Sequence, residues 1–438
     1  MTAEVALADT SAGHQAGAPP YKGSRVFAIL ALAVAITNAA AMRAVFAPLQ
    51  DAAKQTLHLD DFWMSLVQGV ALAIPVAVLA VPLGRLVDST RRVTLMILMS
   101  LIWTVGTVWT AFAADFWSLF LSRMLGGLGA FCAIPVAISL VADMCSPAAR
   151  GRAMLPLTMG IQIGTAAAFA LAGPLAKVLS SAGAPHLFGL EPWRGVHLWF
   201  GAASLVLTLP LLLMREPDRH ELGDAGAAFG PAMRAIWARR GFLIPLFIGQ
   251  VGAVMADVAA TIWVTPVLMR TYHQTPEQFG PWVGGVILAG GVLGAVVGAL
   301  FADFGQKLKY KGGVLVGAVI LSLFAIPAAA FPLMPDVTSF AVLLAVLLVV
   351  GAAVGLVTAT VIAVKVPNEA RGMCLGAFVV VAAVIGFGVA PTLVTVCSKL
   401  MGGESHLGQA LGYTGIAIDV MSSLGFLFAM LDLAKRRD

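Results

Sequence analysis

Charge is what this chain has least of. Only 11% of its 438 residues are Asp, Glu, Lys or Arg, against about 25% in a soluble domain. With 60% hydrophobic residues and a mean hydropathy of +0.93, that deficit excludes a soluble globular protein and implies an integral membrane protein. Cysteine is nearly as scarce. Cys132, Cys145, Cys374 and Cys397 lie within or at the edges of apolar runs. They show no close pair and no metal-ligand spacing, so they read as small apolar residues and no metal site is expected. Zinc-helix, phosphate-loop and nucleophile-elbow patterns are missing too. His220-Glu221 lacks the second histidine of a zinc helix and falls in a charged loop. The chain is therefore not expected to be an enzyme or to carry a cofactor. Without an ATP site, any work it does must draw on an ion or substrate gradient. The formal charge of +5 and pI near 9.2 would suggest nucleic acid in a soluble protein. Here the basic residues sit in loops, where they report topology, and no nucleic-acid partner is expected.

What the chain does have is long apolar runs. Segments able to span a bilayer occur at about 26–49, 62–86, 93–113, 116–141, 153–179, 195–214, 242–269, 281–301, 312–333, 337–364, 373–397 and 407–433. Their hydrophobicity is continuous rather than alternating, which selects helices over barrel strands. Glycine and alanine recur inside them, as close helix packing favours. One set of loops carries Lys22, Arg25, Arg85, Arg91, Arg92, Arg150 and Arg152. The same set holds the 215–240 connection, Lys307, Lys309, Lys311, Arg371 and Lys435 to Arg437. The other face has only Lys54, Lys177, Arg194, Arg270 and Lys399, so both termini are expected in the cytoplasm. The implied organisation is a disordered cytoplasmic tail over 1–24, without a signal peptide, a first six-helix bundle over 25–214, a linker over 215–241 that includes a surface helix, and a second bundle over 242–434. The halves echo each other. Pro147-Ala148-Ala149-Arg150-Gly151 follows the fourth span as Pro367-Asn368-Glu369-Ala370-Arg371-Gly372 follows the tenth, and Asp88 and Asp303 follow the second and eighth.

The first span holds an arginine where lipid forbids one. Arg43 lies about seventeen residues into the run, roughly two-thirds of the way across the hydrocarbon. A cation there costs about 2.5–3.5 kcal/mol on insertion scales, so it must face water or a partner. Two readings follow: a structural ion pair or snorkelling side chain, and an anion site at the centre of a transporter.

Gly84-Arg85-Leu86-Val87-Asp88-Ser89-Thr90-Arg91-Arg92, between the second and third spans, resembles the loop signature of the major facilitator superfamily. It departs at Ser89, Arg91 and Val93. Asp88 at a helix end could accept backbone N–H groups and arginine, a latch that breaks as the halves rock. The resemblance implies an all-α fold of twelve helices in two six-helix bundles around a central cavity. It also implies a cytoplasmic gate drawn from Gly84, Asp88, Arg91, Arg92, Asp143, Arg150, Arg152, Asp303 and Arg371. Arg123-Met124-Leu125-Gly126-Gly127-Leu128-Gly129, Asp143, Pro192-Trp193-Arg194 and Arg215-Glu216-Pro217 are similar to the spinster-type lipid transporters and the organic-anion (anion:cation symporter) branch. Those relatives pair an aspartate with the first-helix arginine, and follow the fourth-helix arginine by a glutamate. Arg43 and Arg123 match the arginines, whereas Met42 and Ala130 stand at the acidic positions.

Two arginines without their acids leave the first half of the cavity positive, and a guanidinium fork suits a carboxylate or phosphate. Asp257, in the seventh span at nearly the depth of Arg43, is the candidate proton or gating switch, through a charge pair that substrate or a proton would break; the other reading is a permanent structural pair. Asn38, Gln162, Gln250 and Trp263 join Arg43 and Arg123 as substrate-binding candidates, with Gln68 and Thr261 as further polar positions. Asp419 in the twelfth span has no assigned role. The expected function is secondary transport of a small organic anion across the inner or plasma membrane by alternating access, as a monomer in contact with lipid, with a proton as the candidate coupling ion. The alternatives are a lysophospholipid or amphipathic-drug exporter of the same fold, and last a non-transporting membrane sensor.

Overall fold

Backbone N–H and C=O groups in hydrocarbon must pair within the chain, so uninterrupted apolar runs become helices. The computed structural model describes residues 23–181, 189–219 and 229–435. Within them lie twelve helices long and apolar enough to cross a membrane. The first bundle consists of α1 Arg25–Thr56, α2 Asp61–Leu79 (helical onward to Ser89), α3 Arg92–Ala111, α4 Phe116–Met144, α5 Ala149–Ser180 and α6 Pro192–Leu212. The second consists of α7 Arg240–Arg270, α8 Pro276–Lys307, α9 Gly313–Leu333, α10 Val337–Lys365, α11 Ala370–Leu400 and α12 Glu404–Lys435. Among the departures from the expected spans, α1 continues past 49 to Thr56, and α8 extends beyond 281–301 at both ends, to Pro276 and Lys307. A short helix, Phe229–Ala238, precedes α7. Most of the 1–24 tail, part of the connection including His220-Glu221, and Arg436 and Arg437 lie outside the described residues.

Helix starts carry their own chemistry. Asp115 accepts the Ser118 N–H at 2.7 Å to start α4, and Asp336 accepts the Ser339 N–H at 2.9 Å to start α10. The same cap with the same Asp-x-x-Ser spacing at corresponding helices extends the internal repeat. Arg150 and Arg371 extend it again. Each guanidinium reaches back five residues, to the Cys145 and Val366 carbonyls, both at 3.4 Å. Packing at the helix crossings is governed by absent side chains. A Cβ on Gly106 would lie 2.5 Å from the Gly126 nitrogen, and one on Gly425 2.5 Å from the Gly249 nitrogen. The bundles meet along α5 with α8, where a Cβ on Gly284 would lie 2.5 Å from the Ala166 carbonyl oxygen, and along α2 with α11.

A cavity with two unpaired arginines

The cavity is built on a break in α1. Its regular turns end at Ala44, and a 3₁₀ turn, Ala47–Leu49, carries the chain into Gln50–Thr56. Pro48 explains the break: it has no N–H to give the Ala44 carbonyl, and its ring crowds that turn. The break falls one residue after Arg43 and leaves the Arg43 carbonyl as acceptor for the Arg123 Nη2, at 2.7 Å. Two arginines from α1 and α4 are thus tied through backbone rather than through an acid. Phe131 and Phe387 lie 5.7 and 5.6 Å from the Arg43 guanidinium, and Phe46 lies 5.0 Å from that of Arg123. These ring faces stabilise a cation without neutralising it. Neither arginine forms an ion pair among the described residues, and the buried Arg123 Nε has no hydrogen-bond partner.

Both arginines line a cavity of about 220 Å³ between the bundles, together with Gln68, Gln162, Asp257 and Thr261. Arg43, Arg123, Gln162 and Asp257 therefore meet as expected. The charge pair expected between Arg43 and Asp257 is not formed. Asp257 faces the cavity with its Oδ1 unpartnered. Asn38, Gln250 and Trp263 are elsewhere. Asn38 donates to the Ser204 carbonyl and Oγ at 3.2 and 2.9 Å, which locks α1 to α6 inside the first bundle. Gln250 is buried in α7 facing Gly355 of α10, and the Trp263 indole donates to the Pro391 carbonyl at 3.2 Å. Polar atoms in a span gain by pairing with a neighbouring helix, as Asn38 and Trp263 do, whereas the buried Gln250 Oε1 has no hydrogen-bond partner.

The roof of the cavity was not legible from single residues. A π-helical turn, Leu66–Val70, turns Gln68 so that its Nε2 donates to Gln50 Oε1 at 2.6 Å, and Gln50 Nε2 donates to the Ile262 carbonyl at 2.6 Å. Above this bridge, on the face opposite the termini, the bundles are ionically locked. Arg270 of α7 binds Asp51 at 2.7 Å and Asp61 at 2.6 Å. Lys54 binds Asp61 at 2.6 Å and Glu404 at 2.5 Å, and Lys399 binds Asp60 at 3.1 Å. The sparse cations of that face were visible in the sequence, but apart from Lys54 with Asp61 the ion pairs of this lock join residues more than two hundred positions apart.

On the terminus-bearing face, Arg92 is buried in a knot within the first bundle. Its guanidinium binds Asp143, and Glu216 accepts the backbone N–H groups of Arg92 and Val93 at 2.9 and 2.8 Å. Arg150 donates to the Ala142 carbonyl at 3.2 Å. Gly84, Arg91, Arg152 and Asp303 are exposed. The side chain of Asp88 lies outside those described. The expected gate residues thus divide into a buried tie, helix-end arginines and exposed positions.

The sequence pattern of the Major Facilitator Superfamily matches residues 31–391. A 3-(3-hydroxy-phenyl)propionate transporter of Escherichia coli (strain K12) is 29% identical over 187 residues, 42% of each chain. An MFS-type efflux pump of Mycolicibacterium smegmatis is 24% identical over 257 residues, 58% of this chain and 57% of that one. The chain spans about half the length of the curated relatives it matches. A bacterial homolog of the human lysosomal transporter Spinster, solved inward-facing and unoccupied, superposes with a TM-score of 0.80 at 22% identity, covering 94% of this chain and 98% of that one.

Proposed function

The chain belongs to the Major Facilitator Superfamily, and from that premise we propose that it carries a small organic anion, a carboxylate, through the cavity at Arg43 and Arg123. It is a transporter that works by alternating access between the two bundles. The observation that carries the substrate class is the pair of cavity-lining guanidinium groups with no carboxylate bound to either. Two cations held together in a low-dielectric space favour an anion as counter-charge, and their planar forks suit a carboxylate. Volume supports a small one. The cavity's 220 Å³ lies below the roughly 300–1,000 Å³ of sites for drug-sized ligands. The E. coli relative's name, a transporter of a substituted phenylpropionate, is compatible with such a cargo.

In this reading Gln162 and Thr261 contact the substrate, and Asp257 is the proton or gating switch on the facing bundle. The loop charges support an inner or plasma membrane location with both termini cytoplasmic. The lock at Arg270 then closes the outer side, so the structure is the inward-facing or occluded stage of the cycle.

Thermal unfolding of the purified protein against small aromatic acids, dicarboxylates, sugar acids and lysophospholipids tests the substrate class. An acid at a hundred times its Kd adds about 2.7 kcal/mol of stability. Stabilisation by a small acid in the wild type, lost in Arg43→Ala, is the expected result. Stabilisation by lysophospholipids alone would overturn it in favour of an amphiphile exporter.

A further inference from the structure

Behind Asp257 lies a second, far smaller space. It measures about 10 Å³, room for one water-sized group, and Asp257, Asp419, Ser322, Gly351 and Ser422 line it. Asp257 also lines the central cavity, so its carboxyl stands in the wall between the two. Helix register explains how Asp419 arrives there. α7 and α12 run antiparallel and touch at Gly249 with Gly425, and again at Gly252 with Ser422, where an added Cβ would lie 2.9 Å from the Ser422 Cβ. Continuing that register sets Asp257 opposite position 417, within one turn of Asp419. Gly351 of α10 makes room: a Cβ there would lie 2.6 Å from the Asp257 Cγ and run into its oxygens.

Nothing in the space neutralises these acids. Asp419 is 1% exposed with its Oδ2 unpartnered, and Asp257 Oδ1 is unpartnered as well. Both serine hydroxyls are already committed, Ser422 to the Gly249 carbonyl at 2.6 Å and Ser322 to the Val319 carbonyl at 3.0 Å. The other charged side chains on α7, α10 and α12 stand at or near helix ends: Arg240, Arg270, Lys365, Glu404, Asp432 and Lys435, with His406 and an outward-facing Tyr413 as the remaining titratable groups. α9 carries none, Arg371, Cys374, Cys397 and Lys399 of α11 and Glu277, Asp303 and Lys307 of α8 also sit towards the ends, and the cavity's arginines make no ion pair with Asp257. An unpaired buried ion costs several kcal/mol, and two adjacent like charges cost more.

We propose that Asp257 and Asp419 form a paired-carboxyl proton site, entered from the central cavity through Asp257, in which the two acids hold one proton between them. The proton arrives from cavity water, bridges the orphaned oxygens, and returns to water when the bundles rock. The pair titrates as a unit rather than as two separate acids. This inference rests on the reading of Asp257 as the proton switch and adds its partner.

Infrared difference spectroscopy of the protein in lipid nanodiscs tests it, reading the C=O stretch of a protonated carboxyl that shifts in heavy water. The wild type is expected to show such a band near neutral pH. Asp257→Asn and Asp419→Asn should each abolish the band or move it, and Gly351→Ala, which keeps both acids and displaces one, should move it. A band lost in Asp257→Asn but unchanged in both Asp419→Asn and Gly351→Ala overturns the pair and leaves Asp257 as a lone carrier. No band in the wild type, with melting that depends on sodium chloride but not on choline chloride, overturns it in favour of a cation site. Stabilisation by small acids through Arg43 is unaffected by any of these results, so failure of the pair is distinguishable from failure of the anion reading.

Discussion

Replacing Arg270 with methionine should release the face opposite the termini. Arg270 is the shared cation of Asp51 and Asp61, whose side chains are 8% and 4% exposed, and it reaches them from the other bundle. Removing one partner of a buried ion pair costs about 3–5 kcal/mol, because the other charge stays behind without compensation. Arg270 keeps 28% of its side-chain exposure and Lys54 still serves Asp61. We therefore take about 2 kcal/mol, roughly a 30-fold change in an equilibrium constant. The loss falls only on the state in which this face is closed, since open loops return both aspartates to water. Spin labels on Asp60→Cys and Lys399→Cys, with the native cysteines replaced, report the gap across the lock by pulsed EPR. The ratio of long to short distances should rise about 30-fold in Arg270→Met. It should fall back when Asp51→Asn and Asp61→Asn are added, because no charge is then stranded. An unchanged distance distribution in Arg270→Met would refute the assignment of the lock.

Gly291→Ala should narrow the cavity without unfolding the protein. Its Cβ would lie 2.5 Å from Gln162 Cγ and Cδ, and that side chain can swing aside into the binding space. Acid-dependent stabilisation should weaken about tenfold, roughly 1.4 kcal/mol, with the ligand-free melting temperature nearly unchanged. At Asp336 the Ser339 N–H and hydroxyl hold the carboxyl below its usual range. The contribution of that cap is present above the ordinary aspartate value near 3.9 and disappears as pH falls through the lower folded value. Acid unfolding of Asp336→Asn should therefore depend less steeply on pH than that of the wild type, measured by circular dichroism in detergent.

The sequence by itself determined the class, the number of spans and the twofold repeat, because each is written in local runs. Hydrocarbon tolerates only self-satisfied backbone, so a long apolar segment has one available structure. Arg43 was legible for the same reason, since a cation at that depth is too costly to leave unexplained, whereas Arg123 was picked out by its match to the fourth-helix arginine of the family it resembles. Pro48, inside the first span as read at 26–49, marks the broken helix that frees the Arg43 carbonyl, and was not singled out from the sequence.

Tertiary structure alone decided what each polar side chain touches. Asn38, Gln250 and Trp263 look from the sequence like Gln162, yet helix rotation sends them into packing seams and Gln162 into the cavity. Asp419 lies 162 positions from Asp257 and meets it only because α7 and α12 cross through glycines. Arg270, Asp51 and Asp61 lie near the ends of three different helices, and their lock exists only when the two bundles lean together. Span formation is set by the solvent and can be read residue by residue, whereas pairing is set by rotation, register and approach between helices, which no single stretch of chain contains.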